Sequence, residues 1–376
     1  MVQEIRAAVT LEPMKMVPRK LPYPKGVEEG DFIAKLRMCG ICGTDHHIWA
    51  GHLPDLPWPI LQGHEAVAEV HEISEATAEK IEGHGRRLAE GDRILWGGAT
   101  PCGECWPCRW LPQNYRGGLC EKRSTTVLGG VTYSSGGFSD YIYAKRKVPY
   151  KIPDDIPDKV AVLTDTLASV WGIDRALGGM PAANEGLFWG WTAVVQGSGP
   201  IGICAAMKLK EYNVEKLIMV GGPEWRLKEA EKFGADHTID IEEVADPEDR
   251  LAEVRKLTEG RGPDIVVECA GVPAAFPEGI KMVRRGGIFV ELGHYTDAGE
   301  VMVNPFTVCY KDLTLISQYG FSFHQYDTAF RQLMKWHRNG EFPLKDLVTH
   351  EFKIEDTEEG VKLHRQWKTL KAIVVP

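Results

Sequence analysis

Hydrophobic and polar residues follow two different patterns along the chain. From residue 31 to about 150, short alternating runs are separated by Gly and Pro, which is typical of an antiparallel β domain. Between about 160 and 315, short apolar runs alternate with segments of helical spacing, and this alternation predicts a doubly wound parallel sheet in an α/β fold. The predicted strands of that sheet cover residues 192–196, 216–220, 237–240, 264–268, 288–292 and 313–318.

The C-terminal part of the chain departs from this alternation. Residues 326–339 have helical spacing and are followed by Gly340, a residue suited to end a helix. The chain then closes on a strand-like run, 371–375. We expect this tail to return to the first, β-rich domain.

The composition is that of an ordinary globular protein. The chain has 376 residues, enough for two domains, and 43% of them are hydrophobic. A net charge of −9 argues against nucleic acid or an anionic membrane as a partner. The longest uncharged stretch, 186–207, is interrupted by glycines and Pro200, so it predicts strand, turn and helix and no membrane span. Residues 1–20 lack the apolar segment of a secretory signal, and we expect a cytoplasmic protein.

A glycine-rich motif follows the predicted strand 192–196 and opens a helix. Its glycines are Gly197, Gly199 and Gly202, with Ser198, Pro200 and Ile201 between them. The first glycine would make the tight turn, the second would let the backbone approach a pyrophosphate, and the third would let helix and strand pack. The helix N-terminus would offer free N–H groups to the phosphates. The motif therefore predicts a bound dinucleotide.

The residues after strand 216–220 bear on the choice between NAD and NADP. NAD enzymes usually carry Asp or Glu there for the adenosine ribose, whereas this chain has Gly221 and Gly222. Arg226 could pair with a 2′-phosphate, but Glu224 would oppose that phosphate and could itself reach the ribose. Both could equally be exposed residues of a first helical turn. The choice stays open, with NAD slightly favoured.

Four cysteines indicate a metal site. Cys102, Cys105 and Cys108 have CxxCxxC spacing and are followed by Cys120. Four thiolates that leave no open position are the ligand set of a structural zinc. An iron–sulfur cluster or four unrelated thiols are the alternatives.

A second, more dispersed group combines a thiol with an imidazole. Cys42 and His64, with a carboxylate from further along the chain, would leave a fourth tetrahedral position for water or substrate, as in a catalytic zinc site. Cys39 forms a CxxC with Cys42, so a redox pair is a competing interpretation. Taken alone, His46 and His47 could be surface residues.

Together these motifs resemble those of the zinc-dependent alcohol dehydrogenases of the medium-chain dehydrogenase/reductase superfamily, nearly from end to end. The resemblance rests on segments 40–45, 63–66, 136–138, 197–202 and 268–271 and on the four cysteines. It implies a GroES-like catalytic domain of residues 1–165 and 316–376. Between these two parts it implies a Rossmann domain of residues 166–315.

The resemblance also implies a catalytic zinc site. Cys42 and His64 would be ligands, with Asp165 as the third ligand where many relatives carry Cys and others Glu. Glu65 would lie close behind the metal and could bind it transiently. Asp45 would orient His64 through its ring N–H.

Further roles follow from the same resemblance. Thr44 would touch the substrate oxygen, and His47 would end a proton relay that leads to solvent. Lys371 would contact the cofactor pyrophosphate, although a solvated lysine is the alternative. Further cofactor contacts would come from Ile201, Ala270 and Gly293.

The chain departs from the family pattern in two segments. Eleven residues separate Cys108 from Cys120 where relatives usually have seven, so Cys120 is the least secure ligand. Segment 179–191 is longer and more aromatic than usual, and we expect it to serve as core or subunit contact. Candidates for the substrate pocket, or for plain core, are Trp49, Leu53, Trp58 and Trp96.

We therefore predict a dehydrogenase with two zinc ions per chain, one catalytic and one structural. It would oxidise an alcohol, secondary or cyclic, to a ketone or aldehyde and transfer hydride to NAD(P)+. A polyol, threonine or 2,3-butanediol dehydrogenase of the same superfamily is the alternative. An alternative of a different class is a non-catalytic zinc-stabilised interaction protein. The expected partners are a small alcohol or carbonyl substrate and further copies of the chain, as a homodimer or homotetramer.

Overall fold

The chain is described as two compact units. A computed structural model describes residues 3–24, 27–28, 30–53, 56–80, 87–97, 102–111, 119–121, 126–133, 135–144, 149–178 and 190–376. One unit comprises Met1–Asp165 and Phe321–Pro376, and the other comprises Thr166–Gly320.

Strands supply most of the first unit and the centre of the second. In chain order they are β1 (Glu4–Glu12), β2 (Lys15–Pro22), β3 (Phe32–Ile41), β4 (Ile60–Leu61), β5 (Glu65–Ile73), β6 (Arg93–Trp96), β7 (Thr126–Leu128), β8 (Val131–Tyr133), β9 (Tyr141–Ala144), β10 (Pro149–Lys151), β11 (Thr192–Gln196), β12 (Lys216–Gly221), β13 (His237–Asp240), β14 (Ile265–Glu268), β15 (Ile288–Glu291), β16 (Thr314–Ser317), β17 (Val348–Lys353) and β18 (Lys371–Val375).

The first six helices have at most seven residues each, and the longest helix lies in the C-terminal part of the first unit. The helices are α1 (Gly43–Trp49), α2 (Glu75–Lys80), α3 (Trp106–Trp110), α4 (Asp158–Ala161), α5 (Thr164–Ala168), α6 (Gly172–Gly178), α7 (Pro200–Glu211), α8 (Glu224–Lys232), α9 (Pro247–Leu257), α10 (Ala275–Met282), α11 (Pro305–Tyr310), α12 (Phe323–Asn339) and α13 (Thr357–Arg365), with 3-10 turns at Leu344–Leu347 and Ile354–Asp356.

The described strands of the first unit form two sheets. One has the order β2-β1-β4-β8-β7, and the other has the order β10-β6-β5-β3-β18-β17 with β9 also paired to β3. The strand β3 is central because it pairs antiparallel with β5, β9 and the C-terminal β18. Its Phe32 is buried edge-to-face against Trp96, with ring centroids 5.8 Å apart. The two ends of the chain therefore share one core.

The second unit is built on a parallel sheet with the order β13-β12-β11-β14-β15-β16. Every residue of β11 is buried, as expected for a strand covered on both faces. The predicted α/β fold with a doubly wound parallel sheet is confirmed. The strand order reverses between β11 and β14, and ligands of such sheets bind outside the carboxyl ends of the strands at this point.

Two predicted boundaries need correction. A domain boundary after residue 315 would cut through β16, whereas the second unit continues to Gly320 and so completes its last strand. The helix predicted to start at residue 326 begins at Phe323 as α12. The missed signal is a capping box, in which Ser322 and Gln325 exchange side-chain hydrogen bonds with each other's backbone N–H. No helix in the described part of the chain is both long and apolar enough to cross a membrane.

Candidate functional site

The starts of α1 and β5 carry the dispersed group of ligand residues. Cys42 follows the end of β3 and precedes α1, and His64 follows Gly63 and precedes β5. One possible ligand atom from each of Cys42, His64 and Glu65 can be chosen so that all three lie within 4.8 Å of one another. Pairing of Gly40 with Glu65 across β3 and β5 brings these segments together.

Asp45 joins the two segments. Its Oδ2 accepts a hydrogen bond from Cys42 N at 3.0 Å, and its Oδ1 accepts one from Gly63 N at 3.3 Å. The same Oδ1 lies 3.6 Å from His64 Nδ1. The fully buried Asp45 carboxylate is therefore on the Nδ1 side of the ring and leaves Nε2 for a metal.

Asp165 lies on the other side of the His64 ring. It is buried on α5, and its Oδ1 lies 4.0 Å from His64 Nε2. Burial raises the pKa of Asp165 to about 7, against the opposing effect of His64. Burial lowers the pKa of His64, but the charge and hydrogen bond of Asp45 outweigh it, so the net shift is well upward. A half-buried imidazole between two buried carboxylates and beside a thiol is a donor set that fits a zinc ion.

Lys371 has a partner that the sequence analysis did not predict. Its ammonium is 2% exposed and contacts Glu65 Oε2. Gly40 makes room for this pair, because a Cβ at that position would collide with both side chains. Burial lowers the pKa of Lys371, but Glu65 and Cys42 outweigh this effect and the net shift is upward. The alternative of a solvated lysine is therefore wrong, and the predicted pyrophosphate contact stays a prediction.

Thr44 and His47 lie on α1. Thr44 Oγ1 is 3.8 Å from Cys42 Sγ, so its hydroxyl is beside the first ligand. His47 is half-buried, and its Nδ1 lies 3.1 Å from Nδ1 of His52. His46, considered above as a surface residue, is buried. These positions suit the predicted relay, which stays a prediction.

The segment Gly136-Gly137-Phe138 is hydrogen-bonded to the residues that precede His64. Gly137 N donates to Gly63 O at 2.8 Å, and Phe138 N donates to Gln62 O at 3.1 Å. Gly63 has φ +91°, and a Cβ there would lie 2.7 Å from Phe138 N. These glycines thus allow two backbone segments to approach closely.

Cys39 does not form a disulfide with Cys42. Both are free thiols, and Cys39 is fully buried on β3. Burial raises the pKa of the Cys39 thiol well above its usual value. A low-pKa redox pair is therefore not what the structure presents.

The four cysteines of the predicted structural site come together around the N-terminus of α3. A sulfur atom from each of Cys102, Cys105, Cys108 and Cys120 lies within 4.8 Å of the other three. The backbone N–H groups of Glu104 and Cys105 donate to Cys102 Sγ and lower the pKa of that thiol to about 6. This donor set fits zinc. Part of the insertion before Cys120, residues 112–118, lies outside the described residues.

The glycine motif of the second unit forms the predicted turn. Gly197 has φ +104°, and a Cβ there would lie 2.8 Å from Ala270 N. A Cβ at Gly202 would collide with Gly197 O. Gly199 precedes α7 as its N-cap, and Pro200 occupies the first turn, where a missing N–H costs nothing. This end of α7 can hold a pyrophosphate.

The end of β12 leaves no room for an acidic side chain. A Cβ at Gly221 would lie 2.9 Å from Ser198 N, and Ser198 Oγ donates to Gly222 O at 2.9 Å. Arg226 is 6% exposed, and its Nη1 lies 3.7 Å from where a Cβ of Gly199 would be. Burial lowers the pKa of Arg226 to about 10.

Glu224 is directed away from this turn. It is an exposed residue whose carboxylate lies 2.5 Å from Lys228 Nζ, one helical turn later. Arg226 is thus not an exposed helix residue, whereas Glu224 is.

The buried carboxylate of Glu268 and the half-buried carboxylate of Glu291 position the loops after β14 and β15, and the sequence analysis did not identify this arrangement. Glu268 Oε1 accepts hydrogen bonds from Ala270 N and Gly271 N at 2.7 and 2.9 Å. Glu291 Oε1 accepts from Gly293 N and His294 N, both at 3.1 Å. A Cβ at Gly293 would collide with Glu268 Oε2 and with Gly271 N, which explains the glycine. The predicted cofactor residues Ala270 and Gly293 are therefore neighbours.

The pocket candidates divide into two pairs. Trp96 is core, and Trp49 is buried with its Nε1 donating to Glu358 at 3.1 Å. Leu53 and Trp58 are only half-buried and stay candidates. Most of the aromatic segment, residues 179–189, lies outside the described residues.

Known proteins share these features. The family description "Alcohol dehydrogenase GroES-like domain" matches residues 28–154, and "Zinc-binding dehydrogenase" matches residues 200–338. An L-threonine 3-dehydrogenase of Rhizobium rhizogenes is 30% identical, over 94% of this chain and 93% of its own. A 5-exo-hydroxycamphor dehydrogenase of Pseudomonas putida is 26% identical over 99% of both chains. The fold is similar to that of an alcohol dehydrogenase of Thermotoga maritima, with TM-score 0.84, 24% identity and 99% of both chains covered.

The chain belongs to the zinc-dependent alcohol dehydrogenases of the medium-chain dehydrogenase/reductase superfamily. It is an NAD(P)-dependent, zinc-containing oxidoreductase that acts on a small-molecule alcohol. The predicted family and enzyme class are confirmed. Membership decides against the alternative of a non-catalytic interaction protein.

Proposed function

We propose that this enzyme oxidises a secondary alcohol to a ketone. The observation that carries the proposal is the close approach of Cys42 and His64, whose possible ligand atoms lie within 4.8 Å of each other, with the buried Asp165 carboxylate 4.0 Å from His64 Nε2. The hydroxyl of Thr44 lies beside Cys42. When bound there, zinc supplies a Lewis acid that lowers the pKa of the alcohol, and the nicotinamide accepts the hydride. Cys42, His64 and Asp165 would hold the zinc.

The chain's own groups would orient the site and move the proton. Asp45 holds the His64 ring from its Nδ1 side, so that Nε2 faces the site. The Thr44 hydroxyl would accept the alcohol proton, and His47 would pass it to solvent from its half-buried position on the same helix. Glu65 and Lys371 form a buried ion pair behind the zinc ligands, so the negative charge of one is balanced by the positive charge of the other.

Support for a secondary alcohol comes from the relatives. The hydroxyl group on carbon 5 of hydroxycamphor and that on carbon 3 of threonine are both secondary. Leu53 and Trp58, as half-buried apolar residues, would suit an apolar cyclic substrate. A polyol or threonine as substrate is the alternative within the family.

For the cofactor, we propose that NADP+ is accepted. Gly221 and Gly222 carry no carboxylate to repel a 2′-phosphate, and the buried guanidinium of Arg226 is directed at the glycine turn. Glu224, which would oppose the phosphate, is paired with Lys228 instead. The Asp240 carboxylate would also oppose a 2′-phosphate, because its Oδ1 lies 3.4 Å from the position of a Gly222 Cβ. Because of these contacts, we propose NADP+ in place of the slight preference for NAD expected from the sequence.

A homodimer or homotetramer is also proposed. Among the described residues, β16 is an edge strand that pairs with β15 alone. Leu315 on β16 is 42% exposed, and Met302 and Phe306 are 92% and 66% exposed. Such an apolar edge suits pairing with a second copy. Light scattering of Leu315→Lys should show a smaller species than the wild type, and a monomeric wild type would refute the proposal.

A substrate panel tests the reaction. Turnover of cyclohexanol, 2-butanol, sorbitol, L-threonine and ethanol is measured with NAD+ and with NADP+. We expect kcat/KM for the best secondary monoalcohol to exceed that for ethanol at least about tenfold, since pocket contacts of this kind discriminate by that order. A preference for ethanol would overturn the proposal, and a preference for sorbitol or L-threonine would establish the alternative.

The ligand role of Asp165 is tested separately. Asp165→Ala should lose the catalytic zinc and turnover but keep the zinc of the four cysteines, as measured by elemental analysis per chain. The exposed Asp155 supplies a matched control, Asp155→Ala, which should keep both zinc ions. Full activity in Asp165→Ala would place the third ligand elsewhere.

A further inference from the structure

Three histidines form a cluster on and just after α1, none of them among the predicted zinc ligands. One ring nitrogen from each of His46, His47 and His52 can be chosen so that all three lie within 4.8 Å of one another. Their ring centroids are 5.3 to 5.8 Å apart. This arrangement needs more than helix spacing: Gly51 turns the chain with φ +76°, and His52 N then donates to His47 O at 2.9 Å.

Within the part of the chain that the structure describes, the imidazoles of this histidine cluster have no anionic partner. Among the described residues, no carboxylate lies within ion-pair distance of His46, His47 or His52, and their one side-chain hydrogen bond joins His47 to His52. Burial, followed by the neighbouring histidines and Arg365, lowers the pKa of His46 to about 4. Burial, followed by His52 and Arg365, also lowers the pKa of His47. Both rings are therefore neutral near pH 7, the form that binds metal ions.

The positive charge of Arg365 acts on two histidines of the cluster. Helix α13 packs against α1 and brings Arg365 near His46 and His47. Arg365 is exposed, so solvent screens its repulsion of a bound metal ion. His52 is also exposed, which gives an ion access to the cluster.

We propose that His46, His47 and His52 form a third metal site for a divalent transition-metal ion of the zinc type. Imidazole is a ligand that such ions prefer, and three histidines with a water molecule complete a tetrahedral zinc site. Nitrogens bound to one tetrahedral zinc lie about 3.3 Å apart. The 3.1 Å between Nδ1 of His47 and Nδ1 of His52 is already close to that value.

Occupancy of the histidine cluster would inhibit the enzyme. A metal ion on His47 would take the lone pair that accepts the relayed proton, so excess zinc would slow turnover. This consequence rests on the proposed relay function, whereas binding at the cluster does not.

Zinc binding to the holoenzyme tests the site directly. Protein that already holds its two tightly bound zinc ions is dialysed against buffered Zn2+ from nanomolar to 100 µM, and further zinc per chain is measured. The wild type should bind one more equivalent in the micromolar range. His52→Ala, which changes an exposed residue outside α1, should weaken this binding about tenfold or more because a ligand is lost. Arg365→Gln should strengthen it by about twofold at most, because the repulsive charge that is removed is screened by solvent.

A control separates the cluster from surface histidines in general. His237→Ala removes an exposed histidine on β13 and should leave the third equivalent unchanged. No third equivalent below 100 µM, or wild-type affinity in His52→Ala, would overturn the proposed site. Turnover should fall with a midpoint equal to the binding midpoint in the wild type. Zinc that binds without slowing turnover would overturn the inhibitory role while establishing the site, and would not bear on the substrate panel.

Discussion

At the scale of single residues, buried carboxylates position the reactive segments. Asp45 accepts N–H groups from both ligand-bearing segments and lies against His64, so one side chain sets the relative position of Cys42 and His64. At the cofactor turn, the corresponding buried charge is the guanidinium of Arg226, which lies beside Gly199.

Asp45→Asn keeps the shape of the side chain but removes its charge. The variant should hold the catalytic zinc about 10 to 100 times less tightly, since His64 loses its anionic partner. Zinc per chain after dialysis against a chelator should fall from two to one. The zinc of the four cysteines serves as the internal control, and equal retention of both ions would show that Asp45 does not support the metal.

Arg226→Ala tests cofactor choice. The KM for NADP+ should rise roughly tenfold or more, as expected for a charged hydrogen bond to a phosphate, and the KM for NAD+ should rise less. Lys228→Ala, an exposed change on the same helix, should leave the ratio of the two KM values unchanged. An equal rise in the KM values for both cofactors would mean that Arg226 contacts a part of the molecule that NAD+ and NADP+ share.

At the scale of elements, titratable side chains hold the two loops that follow the carboxyl ends of β14 and β15. Burial, then Glu268, raises the pKa of Glu291 to about 7. The nearby carboxylate of Glu268, and then that of Glu291, raise the pKa of His294 to about 9, against the effect of burial. Nδ1 of His294 lies 2.9 Å from Glu291 Oε1 and 3.5 Å from Glu268 Oε2. The loops that hold Gly271 and Gly293 are thus sensitive to pH.

The sign of this dependence follows from proton binding. Both groups bind protons more tightly in the folded chain than in the unfolded one, with ordinary pKa values of 4.5 for Glu and 6.5 for His. Their stabilisation is fully present below those values and is lost as pH rises through about 7 for Glu291 and 9 for His294.

Between pH 6.5 and 9 the wild type should therefore lose more stability than His294→Gln. The excess loss should be on the order of 1 kcal/mol, because partial exposure screens the charges, and a few degrees in Tm by calorimetry. The exposed His237 supplies the control variant His237→Gln, which should follow the wild type. Parallel curves for His294→Gln and the wild type would show that the pair does not control stability.

At the scale of the whole molecule, the two units carry different ligands. The first holds both predicted zinc sites, and the second holds the glycine turn and the loops after β14 and β15. Ligands that bind only the folded state stabilise the part that binds them. Cytoplasmic location stays a prediction from the sequence.

Hydrogen exchange should separate the two ligand effects. Saturating NADPH should slow amide exchange in residues 197–202 and 221–226, whereas removal of zinc by a chelator should speed it in residues 42–49 and 102–111. Exchange in β1 and β2, which carry no predicted ligand, serves as the reference. Faster exchange of residues 197–202 on zinc removal alone would contradict the assignment of separate ligands to the units.

The sequence by itself determined the parallel strands, the glycine turn and the four-cysteine site. These features are local: apolar runs bounded by glycines predict strands such as β11, and spacing brings Cys102, Cys105 and Cys108 together. The family motifs added Asp165 to Cys42 and His64, because the resemblance extends nearly from end to end of the chain.

Only the tertiary structure decided which distant side chains meet. The ion pair of Lys371 with Glu65 depends on β18 and β5 lying on either side of β3, and the burial of Arg226 depends on α8 following β12 beside the glycine turn. The contact of His47 with His52 depends on the turn at Gly51. Periodicity predicts which face of an element is apolar, but the register and order of neighbouring strands determine which charged groups share a buried space.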